Sequence, residues 1–344
     1  MSWVGEMEFD DTRLDDPTAL AGIDSHLRQL ATAGARIRVA AGSTQLDGLA
    51  DSELGRRPRG LIALGAEARL LRAVLEPQCP VPFVAWTIDG LPGWVGPLDT
   101  VVVLASEGSD PDLMSAVAEA TRRGANLLVA AQPGSPIAEQ AASRSTVLLP
   151  VPLADPLATV VVTLSALNRM GLGPQVHPEV VAERADMVAE ECSPHRNLAE
   201  NPAKDLAVAL AEAQPLVWGG TVLAARAARR VAESLRRASG RPALAADASA
   251  LLPVLRGASS RDLFADPADG LRPVLVVLDD GSDDERVRRE RSELLALAER
   301  QQVRVCTVAA TAAAGDVERY VELLQRGLFG AAYLGLGLVD EVAG

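Results

Sequence analysis

The stretch Leu98–Pro152, LDTVVVLASEGSDPDLMSAVAEATRRGANLLVAAQPGSPIAEQAASRSTVLLPVP, decides the fold. Thr100–Ala105 is an unbroken apolar run rich in Val, the pattern of a parallel strand buried on both faces. A polar turn, Ser106–Asp110, follows, and Pro111 opens an amphipathic helix. Asp110 suits the N-cap, and Pro111 suits the first helical position, where an N–H has no intrahelical partner to lose. Gly124 ends that helix. Asn126–Ala131 reads as the next strand, Gly134–Ala142 as a short helix, and Thr146–Leu149 as a third strand ending against Pro150. This alternation spells a doubly wound α/β core, whose ligands bind at the carboxyl ends of the strands. The turn at Ser106 is therefore the first place to look for chemistry.

On the N-terminal side, Gly60–Leu64 is an apolar strand, Gly65 turns into a helix through Leu70, Leu71, Val74 and Leu75, and Val81–Trp86 is a further strand. Before these, residues 1–16 read as an acidic, loosely held lead-in, and Asp16-Pro17 caps a helix running to about Ala33. Ala35–Ala41 (ARIRVAA) fits either a strand or a continuation of the helix. The Gly- and Pro-rich loop Asp89–Leu98 carries Trp94, which fits a lid on the sheet edge or a surface for stacking a ligand.

On the C-terminal side, helices over Asp155–Met170 and His177–Glu191 lead to the linker Ser193–Pro202. The α/β theme then repeats. Helix Pro202–Leu210 and strand Pro215–Trp218 come first, followed by a Gly219-Gly220 turn into a helix reaching about Arg237 and a short strand Ala243–Ala246. Arg256–Gly270 is irregular and polar; strand Pro273–Asp279, a charged helix Asp284–Arg300 and strand Val303–Ala309 follow. Gly315–Arg326 and Leu328–Val339 read as two final helices. The expected organisation is residues 1–56 as lead-in and helix, 57–192 as a first α/β lobe with following helices, and 193–344 as a second lobe.

Composition narrows the function. The 344 residues are 48% hydrophobic and only 3% aromatic, so Ala, Leu and Val must build the cores. A net charge of −13 argues against nucleic acid, whose phosphates demand clustered positive charge. Cys79, Cys192 and Cys306 are isolated and lack CxxC spacing, which implies a reducing compartment with neither a disulfide frame nor a zinc site. His26, His177 and His195 are scattered and read as surface residues. No apolar h-region opens the chain and no apolar run reaches ~18 residues, so a cytoplasmic protein with no membrane association is expected.

The strand, SEGSDPDL turn, helix, RRGA, strand, helix and LLPVP series resembles the SIS (sugar isomerase) domain. The branch it is most similar to is the bifunctional phosphoglucose/phosphomannose isomerases, in a divergent form. The tail LLQRGLFGAAYLGLGLVDEV resembles the last helices of that branch, and Asn201-Pro202-Ala203-Lys204 matches an Asn-Pro-x-Lys-like opening of its second lobe. The resemblance runs from about Gly60 to the end. It implies two tandem SIS-like doubly wound parallel-sheet lobes, each an α-β-α sandwich, a sugar phosphate as the small-molecule partner, a homodimer and no cofactor. It places the sugar phosphate at Gly65, Glu67, Ser106, Gly108, Ser109, Asp110 and Lys204.

The resemblance also has gaps. In the family, a Ser-x-Ser-Gly-Asn-Thr-like turn donates to the phosphate. Here Ser106 keeps the first serine, Gly108 replaces the second, Pro111 replaces the threonine, and Ser109 stands one place away. Glu107, Asp110 and Asp112 put negative charge where the phosphate would sit, although acidic residues there suit the helix dipole. The turn therefore reads either as a capped helix or as a phosphate cradle. The family's GxGGS turn becomes Gly65-Ala66-Glu67-Ala68, and Leu157 stands in place of an arginine. No glutamate occurs between Ser234 and Arg272, no histidine follows His195 and no lysine follows Lys204, so catalytic residues are not assigned. Two functions follow: a catalytically degenerate phosphosugar-binding sensor or partner, or an active aldose–ketose isomerase whose acid and base have moved to Glu67, Glu107 or Asp110. Lys204, the only lysine, fits either a ligand contact or a solvated helix position.

Overall fold

The computed structural model describes residues 7–47, 57–258, 271–311 and 314–340. The chain divides into two compact units, Ala33–Glu183 and the combination of Met1–Thr32 with Arg184–Gly344. Among the described residues no helix is long and apolar enough to cross a membrane.

The chain enters through strand β1 (Met7–Phe9) and a 3-10 turn over Asp11–Leu14. The expected loose lead-in is thus structured from residue 7, and Leu14 is fully buried. Asp16 caps α1 (Pro17–Gly22), its two carboxylate oxygens each accepting an N–H, from Thr18 and Ala19, at 3.1 Å. The single helix expected to Ala33 is broken into α1, α2 (Asp24–Ala31) and α3 (Ala33–Ser43). The breaks fall after Gly22, a poor helix former, and at Thr32, whose hydroxyl donates back to the Arg28 carbonyl at 2.8 Å. ARIRVAA belongs to α3, with Ala33, Ile37 and Ala40 buried at helical spacing.

The first lobe continues with β2 (Leu61–Leu64), α4 (Ala68–Leu75), β3 (Phe83–Ala85), β4 (Thr100–Ala105) and α5 (Pro111–Arg122). It ends with β5 (Asn126–Ala131), α6 (Pro136–Ala141), β6 (Thr146–Pro150) and α7 (Pro156–Arg169), after which α8 (Pro178–Glu191) crosses the division between the units. Its sheet has the order β3-β2-β4-β5-β6, every pair parallel. All of β2 and β4 is buried, as the Val-rich run demands. Helix α7 is buried from Leu157 to Leu167, and Arg36 of α3 pairs at 2.7 Å with Asp155, the residue that caps it. The order reverses direction between β2 and β4, so the switch point of the sheet lies between those strands.

The second unit holds α9 (Pro202–Ala209), β7 (Ala213–Gly219), α10 (Val222–Ser239), β8 (Leu244–Ala245), α11 (Ala248–Arg256), β9 (Arg272–Asp279), α12 (Glu285–Arg300) and β10 (Arg304–Ala309). Its sheet, β10-β9-β7-β8, is also parallel and repeats the strand order of the first. Helix α11 contains Pro253, which disguised it in the sequence. Most of the polar stretch expected over 256–270 lies outside the described residues. The two final helices expected are instead one, α13 (Asp316–Gly337), followed by β11 (Leu338–Asp340), which pairs antiparallel with β1. Gly327 does not break α13, because the helix approaches α10 so closely that a Cβ there would overlap Val231. Phe329, Tyr333 and Leu334 of α13 are buried.

Candidate ligand site at the first-lobe switch point

The carboxyl ends of β2, β3 and β4 enclose a cavity of about 400 Å³, wholly within the first lobe. Its floor is the turn after β2. Gly65 sits there at φ +102°, and a side chain would overlap the carbonyl oxygen of Leu104 on β4, so only glycine fits. The first turn of α4 supplies Arg69, which donates to the Thr87 hydroxyl at 3.2 Å. The loop after β3 supplies Trp86 and Asp89, and α5 supplies Asp110, Asp112, Leu113 and Ala116.

The start of α5 shows what this site can hold. One oxygen of Asp110 accepts the N–H groups of Asp112 at 2.9 Å and Leu113 at 3.3 Å. Pro111 has no N–H to offer, so the donors that would cradle an anion at this helix end are occupied by the protein's own carboxylate. Arg69 is the one cation on a lining that carries Asp89, Asp110 and Asp112. Asp110 and Asp112 stand together at the start of α5, and Asp89 comes from the loop after β3. Among the described residues, no three His, Cys, Asp or Glu side chains are grouped to hold a metal ion.

The residues expected from the sequence are only partly gathered here. Gly65 and Asp110 line the cavity. Glu67 is buried at the start of α4 and is not part of the lining. Ser106, Gly108 and Ser109 form the adjoining turn but are not part of the lining. Gly108, at φ +71°, is pressed against Ser135, 2.6 Å from where its Cβ would stand, and its carbonyl accepts from Ile137 at 3.2 Å.

Lys204 belongs to the other unit and is fully buried, so it is not a solvated helix residue. Its ammonium donates to Asp15 at 2.7 Å, the Arg196 carbonyl at 2.7 Å and the Pro194 carbonyl at 3.1 Å, which uses all three of its donors. It also lies 5.5 Å from the centre of the Tyr333 ring. The hydrogen bond from Lys204 holds the Asp15 carboxyl below its ordinary value. Nearby, burial pushes the Cys192 thiol up to about 12, which leaves it unreactive. Trp94 lies off the cavity, half exposed, with the Arg59 guanidinium 5.9 Å from its ring centre.

Arg69, Trp86 and Asp89 were not singled out in the sequence. All three follow the ends of β2 or β3, so the strand-end rule would have found them had β3 been placed beside β2.

The matching turn of the second lobe is Gly219–Thr221. A Cβ on Gly220 would overlap Val287, and the Thr221 hydroxyl, which caps α10, is hydrogen-bonded to the buried Asp280 carboxylate. Asp284 caps α12 just as Asp110 caps α5, accepting from Arg286 at 2.8 Å and Val287 at 3.2 Å.

Two parallel-sheet lobes of related strand order, with an opening at the switch point of the first, define a tandem doubly wound α/β protein. Residues 199–338, in the second unit, match the family model of the bacterial phospho-glucose isomerase C-terminal SIS domain. No curated protein sequence matches it. Among solved structures it is similar to a glucose-6-phosphate isomerase like protein from Thermus thermophilus, at 21% identity and TM-score 0.56, covering 94% of this chain and 92% of that one. It is also similar to tagatose-6-phosphate ketose/aldose isomerase from Escherichia coli, at 15% identity and TM-score 0.61, covering 97% and 94%. A third similar structure is the C-terminal domain of glucosamine-fructose-6-phosphate aminotransferase from Francisella tularensis, at 12% identity and TM-score 0.61, covering 91% and 97%.

Proposed function

We propose that this chain is a non-catalytic SIS-domain protein of carbohydrate metabolism, a sensor or partner that holds a sugar or sugar phosphate in the first-lobe cavity. The family match and the phosphosugar enzymes among its structural relatives support the carbohydrate ligand. The observation that carries the loss of catalysis is the Asp110 carboxylate seated on the N–H groups of α5, with Asp112 beside it. A phosphate dianion is recognised by such donors, and here they face a carboxylate already.

Aldose–ketose isomerisation needs a base for a carbon-bound proton and donors for the developing oxyanion. Loss of the base lowers rate roughly 100- to 10,000-fold, and loss of a stabilising donor about 100- to 1,000-fold. The expected outcome of a coupled isomerase assay with glucose, mannose or fructose 6-phosphate is therefore no turnover above background. The competing reading, an isomerase with a relocated base, draws support from Glu67, a buried carboxylate next in sequence to the lining residues Gly65 and Ala66. Turnover that disappears in both Glu67→Gln and Ser106→Ala would establish that reading in place of ours. The homodimer implied by the family resemblance is also proposed, with an interface away from the buried face of α13. A monomer mass in light scattering at micromolar concentration would refute it.

A further inference from the structure

We propose that the first-lobe cavity takes an unphosphorylated polyhydroxy ligand, a free hexose or hexitol, in preference to its 6-phosphate. This deepens the binding reading above and rests on it. The cavity, about 400 Å³, falls within the ~300–1,000 Å³ range of small-molecule sites. Its polar lining has two kinds of group. Asp89, Asp110 and Asp112 only accept hydrogen bonds, and the Arg69 guanidinium only donates.

A ligand that satisfies both must present donors and acceptors around its whole rim. A ring of hydroxyls does so, because each hydroxyl donates to a carboxylate and accepts from a guanidinium. An ammonium ligand would offer Arg69 no acceptor beyond its Thr87 partner, and the phosphate group of an ester would be repelled by the carboxylates. The carboxylates come from two elements, Asp89 from the loop after β3 and Asp110 and Asp112 from the start of α5, so a ligand with hydroxyls along its length can meet both. Trp86, Leu113 and their apolar neighbours, also in the lining, offer a surface for the C–H face of a sugar. The electrostatic side of the argument reduces to counting: three carboxylates and one guanidinium line the space, and a dianion adds to the majority sign.

Calorimetric titration of the full chain tests the proposal, using glucose, mannose, fructose and glucitol, each sugar alongside its 6-phosphate. The expected result is that at least one free sugar or hexitol binds. Where a 6-phosphate is compared, it binds at least about tenfold more weakly, a gap that narrows as salt is added. Asp112→Asn should raise affinity for the phosphate ester, and Asp89→Asn should weaken the free sugar. Both side chains are exposed, so neither change endangers folding. A phosphate ester that binds more tightly than its parent sugar overturns this inference and leaves the binding reading intact. If no sugar or ester binds at millimolar concentration, both fall.

Discussion

Lys204 ties two separate pieces of chain to one atom. Its Nζ reaches Asp15 in the N-terminal segment and the carbonyls of Pro194 and Arg196 in the linker before α9. Replacing it with Met preserves most of the volume but strips the two carbonyls of this donor, at an expected loss of roughly 2–4 kcal/mol in chemical denaturation. Asp15 contributes through the same bond. Its folded-state pKa lies below the ordinary 3.8, so its stabilisation is complete above that value and declines as pH falls through the folded pKa. Acid titration of the wild type against Asp15→Asn should show the difference between them constant above about pH 4 and shrinking below it. The sequence could single out Lys204 as the only lysine, but not that it would be enclosed, because its three acceptors lie 189, 10 and 8 residues away. The same limit hid the cavity lining. Asp110 was legible because its cap is local, whereas Arg69 and Asp89 gain meaning only when β2 and β3 stand side by side.

The elements themselves were largely readable where their signals are local. Five helices, α1, α5, α6, α7 and α9, begin with a capping Asp, Ser or Asn followed by Pro at the first position, and each was placed from the sequence to within two residues at its start. Reading failed where a local breaker is overruled by packing. On an exposed helix, Gly→Ala gains about 1 kcal/mol of helix propensity. At Gly327 the new Cβ would meet the β-branched Val231, with Cγ1 at 2.9 Å, and neither helix can yield easily. Overpacking of this kind costs about 1–3 kcal/mol. Gly327→Ala should therefore lower the melting temperature, and a rise would show that α10 and α13 have room to part. Gly330, whose Cβ would stand 2.7 Å from Leu206, should behave in the same way on the α9 side.

At the scale of the whole molecule, the chain carries two versions of one sheet order and has an opening at the switch point of the first. The repeat was visible in the alternating pattern of strands and helices, but the membership of residues 7–32 in the second unit was not. That membership depends on β1 finding β11, on the Arg13 side chain reaching the Leu336 carbonyl at 2.9 Å and on α2 packing against α13. Deleting residues 1–16 should destabilise the second unit and leave hydrogen-exchange protection in β2, β4 and β5 unchanged; equal loss of protection in both would contradict the division. The β1–β11 pairing also imposes an order on biosynthesis. The first lobe can close as soon as it leaves the ribosome, whereas β1 must wait for some 300 further residues, roughly 15–60 s at ordinary translation rates. For that interval Leu14, Leu27 and Leu30 have no permanent neighbours, and the nascent N-terminus is a natural client for a chaperone until the last strand emerges.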